Sequence, residues 1–288
     1  MQNAPKILAI GAAGKFAGMV IPELVERGAI VRGFIHDGAQ ESLVRKHGAA
    51  ETMVGDLTDR ASVDRAVKDV DGVFYIAPAF LPNEADVGVA MVEAAKRAGV
   101  RRFVFSSVIH PILSALGNHE QKAPVEEALL TSGMEYTFLH PTVFFQNFTE
   151  SWSRIVATGV LAEPWSIDSR FSHVDYRDVA EAAAIALTGD QLLYGTFELC
   201  AEGWHDRKDV AEIISGVLGR RVTAARVDPK KAAAAAGPGA PALEKMFDWY
   251  DQRGLKGSAL TLRAVLGREP RTLRAFFEEL ASASKTAA

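Results

Sequence analysis

The segment from Lys6 to Gly18, KILAIGAAGKFAG, joins residue types whose chemistry depends on having almost no side chain. Four apolar residues, Ile7 to Ile10, run into Gly11, and Gly14 follows before a helical pattern starts near Phe16. A helix start presents unpaired backbone N–H groups and about half a positive charge. Gly11 permits the turn, Gly14 permits close approach, and Ala17 with Gly18 lets a helix lie on a strand. The chemistry this suits is capture of a pyrophosphate, and the expected ligand is a dinucleotide. The alternative is an ordinary strand–helix connection. The turn's place as the first in the chain, ahead of a repeating pattern, favours the ligand.

Other candidate groups are sparser. Ser106 and Ser107 end a strand-like run, where they either touch a ligand or satisfy loop backbone. Lys122 opens a helical pattern, and His110 and His119 lie just before it. The seven histidines show no close ligand spacing with acids or with cysteine, so no metal site is expected. Cys200 is the single cysteine, which excludes an internal disulfide and reads as a small buried hydrophobe.

These residues need a frame that gathers them. Strand-like runs fall at Ile7–Ile10, Ile30–Ile35, Glu51–Val54, Gly72–Ile76, Arg102–Phe105 and Tyr136–Leu139. Helical patterns alternate with them at Phe16–Arg27, Glu41–Lys46, Arg60–Lys68, Glu84–Ala98 and Lys122–Ser132, with Gly28, Gly48, Gly99 and Gly133 as stops. Such alternation predicts an α/β fold with a parallel sheet covered on both faces, binding ligands beyond the carboxyl ends of its strands. After about Pro141 the rhythm loosens. Helices are expected at Arg177–Leu187 and Asp206–Leu218, and strands at Gly195–Cys200 and Arg221–Val227. Residues 230–242, KKAAAAAGPGAPA, read as a mobile linker or lid, with disorder the alternative. Two or three short helices are expected over Leu243–Leu280, and the closing ASASKTAA reads as frayed.

Composition excludes several classes. A net charge of −4 without a basic patch gives no general attraction to nucleic acid or anionic membrane. No apolar run reaches spanning length, and the stretch before the first strand leaves no room for a signal peptide. The cytoplasm is the expected location.

The motifs resemble those of the atypical short-chain dehydrogenase/reductases and, within them, the NmrA-like family. GAAGKFAG resembles the family's GxxGxxG turn with Ala17 in the third glycine position, VRGFIHD its second strand, and Gly55–Asp56 in GDLTD its acidic adenine turn. FVFSS, Phe103 to Ser107, resembles its fifth strand. The most specific match is QKAPVEEALLTSGMEYTFLHPTVFFQN, with Lys122, Val125–Glu126, Ser132–Gly133, Tyr136–Thr137, His140–Pro141 and Asn147 in family order. His140 stands where the family's element has arginine. HVDYRDVAEAA from His173 resembles the VDxxDVA element. The resemblance covers about residues 6 to 220. It implies a Rossmann-type doubly wound parallel sheet over 1–150 and a smaller, mainly helical α+β substrate-side region over 151–288, interleaved with the first.

The resemblance also implies a cofactor map. Gly11, Ala13, Gly14, Lys15, Phe16 and Ala17 would hold the diphosphate. Asp56 and Leu57 would meet the adenine, and Ala77 and Pro78 of IAPAF the adenosine ribose. Ser106 and Lys122 would lie near the nicotinamide ribose, with Pro141, Thr142 and Val143 flanking the ring. An acid at the end of the second strand would favour NAD, but that end is Ile35. His36 follows, where many relatives carry an arginine for the 2′-phosphate of NADP, and Lys15 could also reach that phosphate. Both residues read equally well as solvated. The balance favours NADP(H) over NAD(H).

Typical members of the wider superfamily use Tyr-x-x-x-Lys, with the lysine lowering the tyrosine pKa. Here Asn118 stands four residues before Lys122, and an amide is no general acid. Tyr75 and Tyr136 lie on strands and are not obvious substitutes. Lys122 remains the candidate catalytic residue, with a solvated helix position as its alternative, and His119 is a weaker proton-shuttle candidate. Ketone reduction needs a proton in step, whereas a reduced quinone tolerates delayed protonation. The expectation is therefore an NAD(P)H-dependent reductase of quinone-like or conjugated carbonyl acceptors, with Ser107, Phe144 and Asn147 facing the substrate. Phe144, Phe145, Phe148 and Trp152 either wall a planar acceptor or form an apolar helix face, and the spacing favours core packing. The alternative function is a non-catalytic NAD(P)-binding redox sensor acting through a protein partner. Sugar-nucleotide epimerase or dehydratase chemistry would need the missing tyrosine. A monomer or homodimer is expected.

Overall fold

Each apolar run that stops at a turn becomes a strand of one sheet. The computed structural model describes residues 4–78, 81 and 83–286. The strands are β1 (Lys6–Ile10), β2 (Ile30–Ile35), β3 (Glu51–Val54), β4 (Gly72–Ile76), β5 (Arg102–Ser106) and β6 (Glu135–Pro141). Between them run α1 (Ala17–Glu26), α2 (Glu41–Lys46), α3 (Arg60–Ala66), α4 (Glu84–Arg97), α5 (Gly117–Glu120) and α6 (Ala123–Leu130). Gly28, Gly48, Gly99 and Gly133 follow four of these helices at positive φ.

The sheet has seven strands in the order Gly195–Leu199, β6, β5, β4, β1, β2, β3. Pairing is parallel at each junction from β6 to β3. β1 leads outward to β2 and β3, and the chain then returns to lay β4, β5 and β6 on β1's other side. The switch point therefore lies between β1 and β4, the place where such folds bind ligands. Leu8, Ala9 and Ile10 are fully buried, which is why β1 reads as a continuous apolar run rather than an alternating one. On one face Leu8, Ile10, Tyr75, Phe103 and Phe105 pack with Met91 of α4 and Val125 and Leu129 of α6. At the opposite, amino edge, buried Arg102 bonds Glu135, Asp190 and the carbonyls of Ala186 and Gly189, so its charge is fully partnered.

The chain divides into two interleaved compact units. One comprises the residues up to Ile112, Asn118–His140 and Val179–Phe197; the other comprises Leu113–Gly117, Pro141–Asp178 and the residues from Glu198 onward. In the second, Val143–Phe144 pairs with His173–Val174, and Val160–Glu163 with Thr223–Arg226. Its core holds Phe145, Phe148, Trp152, Ile155, Phe276 and Phe277, with Trp152 stacked on Phe277 at 5.7 Å between centroids. Phe145, Phe148 and Trp152 are thus core residues and not an acceptor wall, as their helical spacing favoured.

Residues 230–242 differ from the linker reading. Asp228 accepts the N–H groups of Lys230 and Lys231 and caps a helix over Pro229–Ala234. A single 3₁₀ turn, Gly237–Gly239, precedes a helix over Ala240–Arg253. Alanine's helix propensity and proline's tolerance of the first turn decide this locally, and Gly-Pro-Gly interrupts only one turn. The ASASKTAA end is likewise helical up to Thr286, with Ala287 and Ala288 outside the described residues.

Candidate functional site

Because the strands are parallel, the segments after β1, β2, β3, β4, β5 and β6 all emerge at one edge of the sheet. Gly11, His36, Asp56, Ala77, Ser107 and His140 are brought to that edge from six stretches of sequence.

The turn after β1 is tight. Gly11 sits at φ +67°, and the Gly14 N–H donates to its carbonyl at 2.7 Å. A Cβ on Gly14 would stand 2.9 Å from that same oxygen. One on Gly18 would press at 3.2 Å on the Ala12 carbonyl and the His47 ring. Phe16 occupies the N-cap of α1 without a side-chain capping bond, and the first turn holds no acid. By contrast, α3 is capped by Asp59, which accepts two of its N–H groups. The first helix therefore starts with neither a side-chain cap nor an acidic residue, behind a glycine cradle, which fits a dinucleotide diphosphate. Lys15 is exposed, its Nζ 5.7 Å from the Phe16 ring centre.

At the end of β2, Ile35 is buried and His36 exposed. The Asp37 carboxylate accepts the Ala39 N–H at 2.9 Å and caps a 3₁₀ turn over Gly38–Gln40. Asp56 accepts both the N–H and the hydroxyl of Thr58 at 2.8 Å. Those bonds hold its carboxyl below the usual range, with a smaller contribution from the His36 imidazole. Leu57 packs partly buried against the sheet's core. After β4, Ala77 is half-buried and Pro78 exposed, while Ala79 and Phe80 of the IAPAF segment lie outside the described residues.

The far side of this edge is the polar centre. Lys122 is the N-cap residue of α6, and its Nζ pairs with Glu84, the first residue of α4. Side-chain exposure is 12% for Lys122 and 5% for Glu84, so this is a buried ion pair, and the solvated-helix reading of Lys122 is corrected. One turn along α6, Glu126 Oε1 accepts the Ser107 hydroxyl at 2.5 Å and meets His140 Nε2 at 2.8 Å. Ser107, which also bonds its N–H to the Leu139 carbonyl, and His140 are both buried, and so is Ser106. The Tyr75 hydroxyl is buried, without a hydrogen-bond partner among the described residues. Burial, and secondarily the Glu84 charge, push its pKa above the ordinary phenol range. It cannot serve as the missing acid.

His119 is fully buried; its Nδ1 lies 3.2 Å from the His110 carbonyl and its Nε2 has no partner. Burial lowers its pKa to about 4, with Lys122 and His110 adding smaller repulsion. A ring held neutral at pH 7 is a poor shuttle for a positive proton. It is also a stability probe. The folded pKa lies below the unfolded value of about 6.5, so the contribution is full above that pH and is lost as pH falls through about 4. His173, lowered to about 3 by burial, acts in the same direction. The urea midpoint is expected to fall between pH 7 and 4.5, and to fall less steeply in His119→Gln. An equal slope in that variant would contradict the assignment.

In the second unit, the residues expected around the nicotinamide have the following surroundings. Pro141 and Thr142 are buried, with the Thr142 hydroxyl donating to the Ser172 carbonyl at 3.0 Å. Val143 and Phe144 are half-buried in their short strand, and Phe144 meets Tyr176 edge-on at 4.9 Å. Asn147 is exposed and starts the helix Asn147–Thr158. Among the described residues, no cluster of three or more His, Cys, Asp and Glu could hold a metal ion, and no helix is long and apolar enough to cross a membrane.

Sequence reasoning missed Glu84 altogether and gave Glu126 no task. For Glu126 a signal existed, since it stands four residues after Lys122 on one helix face. Glu84 lies 38 positions from Lys122 and carries no local signal.

Comparison with known proteins supports the fold and gives the family. An NAD(P)H azoreductase of Xenophilus azovorans is 28% identical over 288 aligned positions, covering 96% of this chain and 98% of that protein. Quinone oxidoreductase 2 of Escherichia coli is 24% identical over 215 positions, covering 74% of each. The crystal structure of an NADPH-dependent quinone oxidoreductase from Escherichia coli, complexed with NADPH, superposes with a TM-score of 0.83 at 23% identity, over 95% of this chain and 99% of that one. The model of the NmrA-like family matches residues 3–279. With a family match over nearly its whole length and the glycine cradle in place, the chain belongs to the NmrA-like family.

Proposed function

We propose that this protein is an NAD(P)H-dependent reductase that passes hydride to quinone-like or conjugated carbonyl acceptors. The observation that carries the reading is an α1 start with no side-chain cap and no acid in its first turn, set behind the glycine turn at a sheet edge where Asn118 replaces the usual tyrosine and the Tyr75 hydroxyl is buried. The relatives' names, an azoreductase and a quinone oxidoreductase, support it. When bound, the nicotinamide supplies the hydride. The chain's own part is to hold the diphosphate at Gly11–Ala17, to orient the ribose through Lys122, and to exclude water around the reacting atoms. A quinone suits this site because its reduced oxygen is a delocalised phenolate that accepts a proton later.

The reading favours NADP(H). Asp37, the acid nearest the end of β2, is engaged by the Ala39 N–H, while Lys15 and His36 stand exposed at the same edge. His36→Ala is therefore expected to weaken NADPH binding more than NADH binding in calorimetric titration; equal dissociation constants for wild type and variant would remove His36 from the role. The reading places the protein in the cytoplasm as a monomer or homodimer, with a small-molecule substrate and neither nucleic acid nor membrane as partner.

The deciding experiment is NADPH oxidation, followed at the nicotinamide absorbance, against a panel of quinones. Turnover above background that drops in Lys122→Ala supports the reductase. Tight dinucleotide binding with no turnover on any acceptor supports the second reading, a redox sensor acting through a protein partner. That reading draws on Asn118 and on the fold shared with the negative transcriptional regulator NmrA in complex with NADP, TM-score 0.81 at 20% identity.

A further inference from the structure

We propose that Ser107, Glu126 and His140 form a proton relay to the acceptor's oxygen, which extends the reaction to conjugated carbonyls that need a proton in step with hydride. The proposal rests on the reductase reading and names a proton source for it.

The three groups come from different elements and converge on one atom. Ser107 follows β5, Glu126 lies in the first turn of α6, and His140 lies near the end of β6. Glu126 Oε1 takes the Ser107 hydroxyl at 2.5 Å and stands 2.8 Å from His140 Nε2. A single carboxylate oxygen thus connects an imidazole to a hydroxyl at the ligand edge. Three further proton-bearing groups are committed elsewhere: Tyr75 is buried, His119 is held neutral, and Lys122 is paired with Glu84.

A purely structural tie between these elements would be served by an arginine opposite Glu126. Arginine holds a carboxylate firmly but does not release its proton. Histidine makes the same contact and does release one.

The balance is simple. Hydride addition leaves the acceptor oxygen with a negative charge. The Ser107 O–H bond breaks, and the proton joins that oxygen. The Nε2–H bond of protonated His140 breaks, its proton passes to Glu126 Oε1 and on to Ser107 Oγ, and the carboxylate is restored. The imidazolium becomes imidazole and is recharged from solvent between turnovers. Ser107 is the catalytic group, and Glu126 and His140 act through it.

The test compares p-benzoquinone with an enone, methyl vinyl ketone, as acceptors in Ser107→Ala, Ser107→Thr, Glu126→Gln and His140→Arg. With the enone, kcat is expected to fall about 10²-fold in the alanine, glutamine and arginine variants, KM changing far less. The loss with the quinone is expected to be at least tenfold smaller, and Ser107→Thr, which keeps a hydroxyl, to recover most of the enone rate. A second readout needs no cofactor: the ¹⁵N resonance of His140 Nε2 should move in both Glu126→Gln and Ser107→Ala. Equal losses with both acceptors, wild-type enone rates in His140→Arg, or a His140 signal indifferent to Ser107 would each overturn the relay while leaving the reductase intact. Wild-type protein that oxidises NADPH with neither acceptor would overturn the reductase reading and the relay with it.

Discussion

Gly14→Ala is expected to weaken NADPH binding about a hundredfold and to destabilise the free protein by roughly 1–3 kcal/mol. The added methyl would stand 2.9 Å from the Gly11 carbonyl oxygen, and both partners are backbone. No flexible side chain can yield, so the turn itself must open, and the 2.7 Å bond between the Gly14 N–H and Gly11 must lengthen. The N–H groups that face a diphosphate then splay. Hydrogen bonds to charged groups contribute about 1.5–3 kcal/mol each, so loosening two of them costs about 3 kcal/mol of binding. Although Gly14 lies outside the left-handed region, the free protein bears the cost of the same opened turn. At Gly11 the cost is conformational instead. Its φ of +67° costs an alanine roughly 1–2 kcal/mol, so Gly11→Ala should lower the melting temperature as well as the affinity. Calorimetric titration with NADPH, paired with thermal melts, separates the two effects. A dissociation constant for Gly14→Ala within threefold of wild type would show that the diphosphate does not rest on this turn.

The same turn shows why much of this molecule is legible in its sequence. β2, β3 and β4 fall on their predicted bounds, and β4 shows why: a buried parallel strand is a short apolar run cut off by polar or glycine residues. Once strand and helix alternate, parallel topology alone carries Gly11, His36, Asp56, Ala77 and Ser107 to one edge. Local pattern fails where the deciding partner is distant or the pattern is degenerate. Lys122 reads as the start of a helix, yet it is the N-cap, and its position is fixed by Glu84 on another helix. Phe145, Phe148 and Trp152 have the spacing of a helix face whether they line a pocket or a core, and only Phe276 and Phe277, more than a hundred positions on, decide it. The Ala-rich stretch from Lys230 misleads because low complexity suggests disorder, whereas Asp228 and Pro229 supply a helix start that composition does not register. Two-residue strands such as Val143–Phe144 are too short to show any period.

Lys122→Met is expected to destabilise the protein by roughly 3–5 kcal/mol, and Glu84→Gln together with Lys122→Met to recover more than half of that without recovering reductase turnover. The reason lies in the burial of the pair. Glu84 retains 5% of its side-chain exposure and sits close enough to Tyr75 to affect that phenol's charge. Among the described residues around it, Tyr75 offers an unpartnered hydroxyl and the core beyond is apolar. Removing the ammonium strands a carboxylate in those surroundings, and desolvation that the pair had offset is left uncompensated. Neutralising both groups removes the stranded charge, so stability returns in the double variant. On a chain of this size, 3 kcal/mol corresponds to a melting temperature lowered by about 6–12 °C. Turnover follows a different rule under the proposed function, in which Lys122 donates to the dinucleotide ribose: neither methionine nor the added amide side chain at residue 84 restores the ammonium. Denaturant melts and NADPH oxidation rates on the two single variants and the double form a complete cycle. A double variant no more stable than Lys122→Met would mean that Glu84 is satisfied by other groups, and one that regained turnover would mean that Lys122 acts on the fold alone.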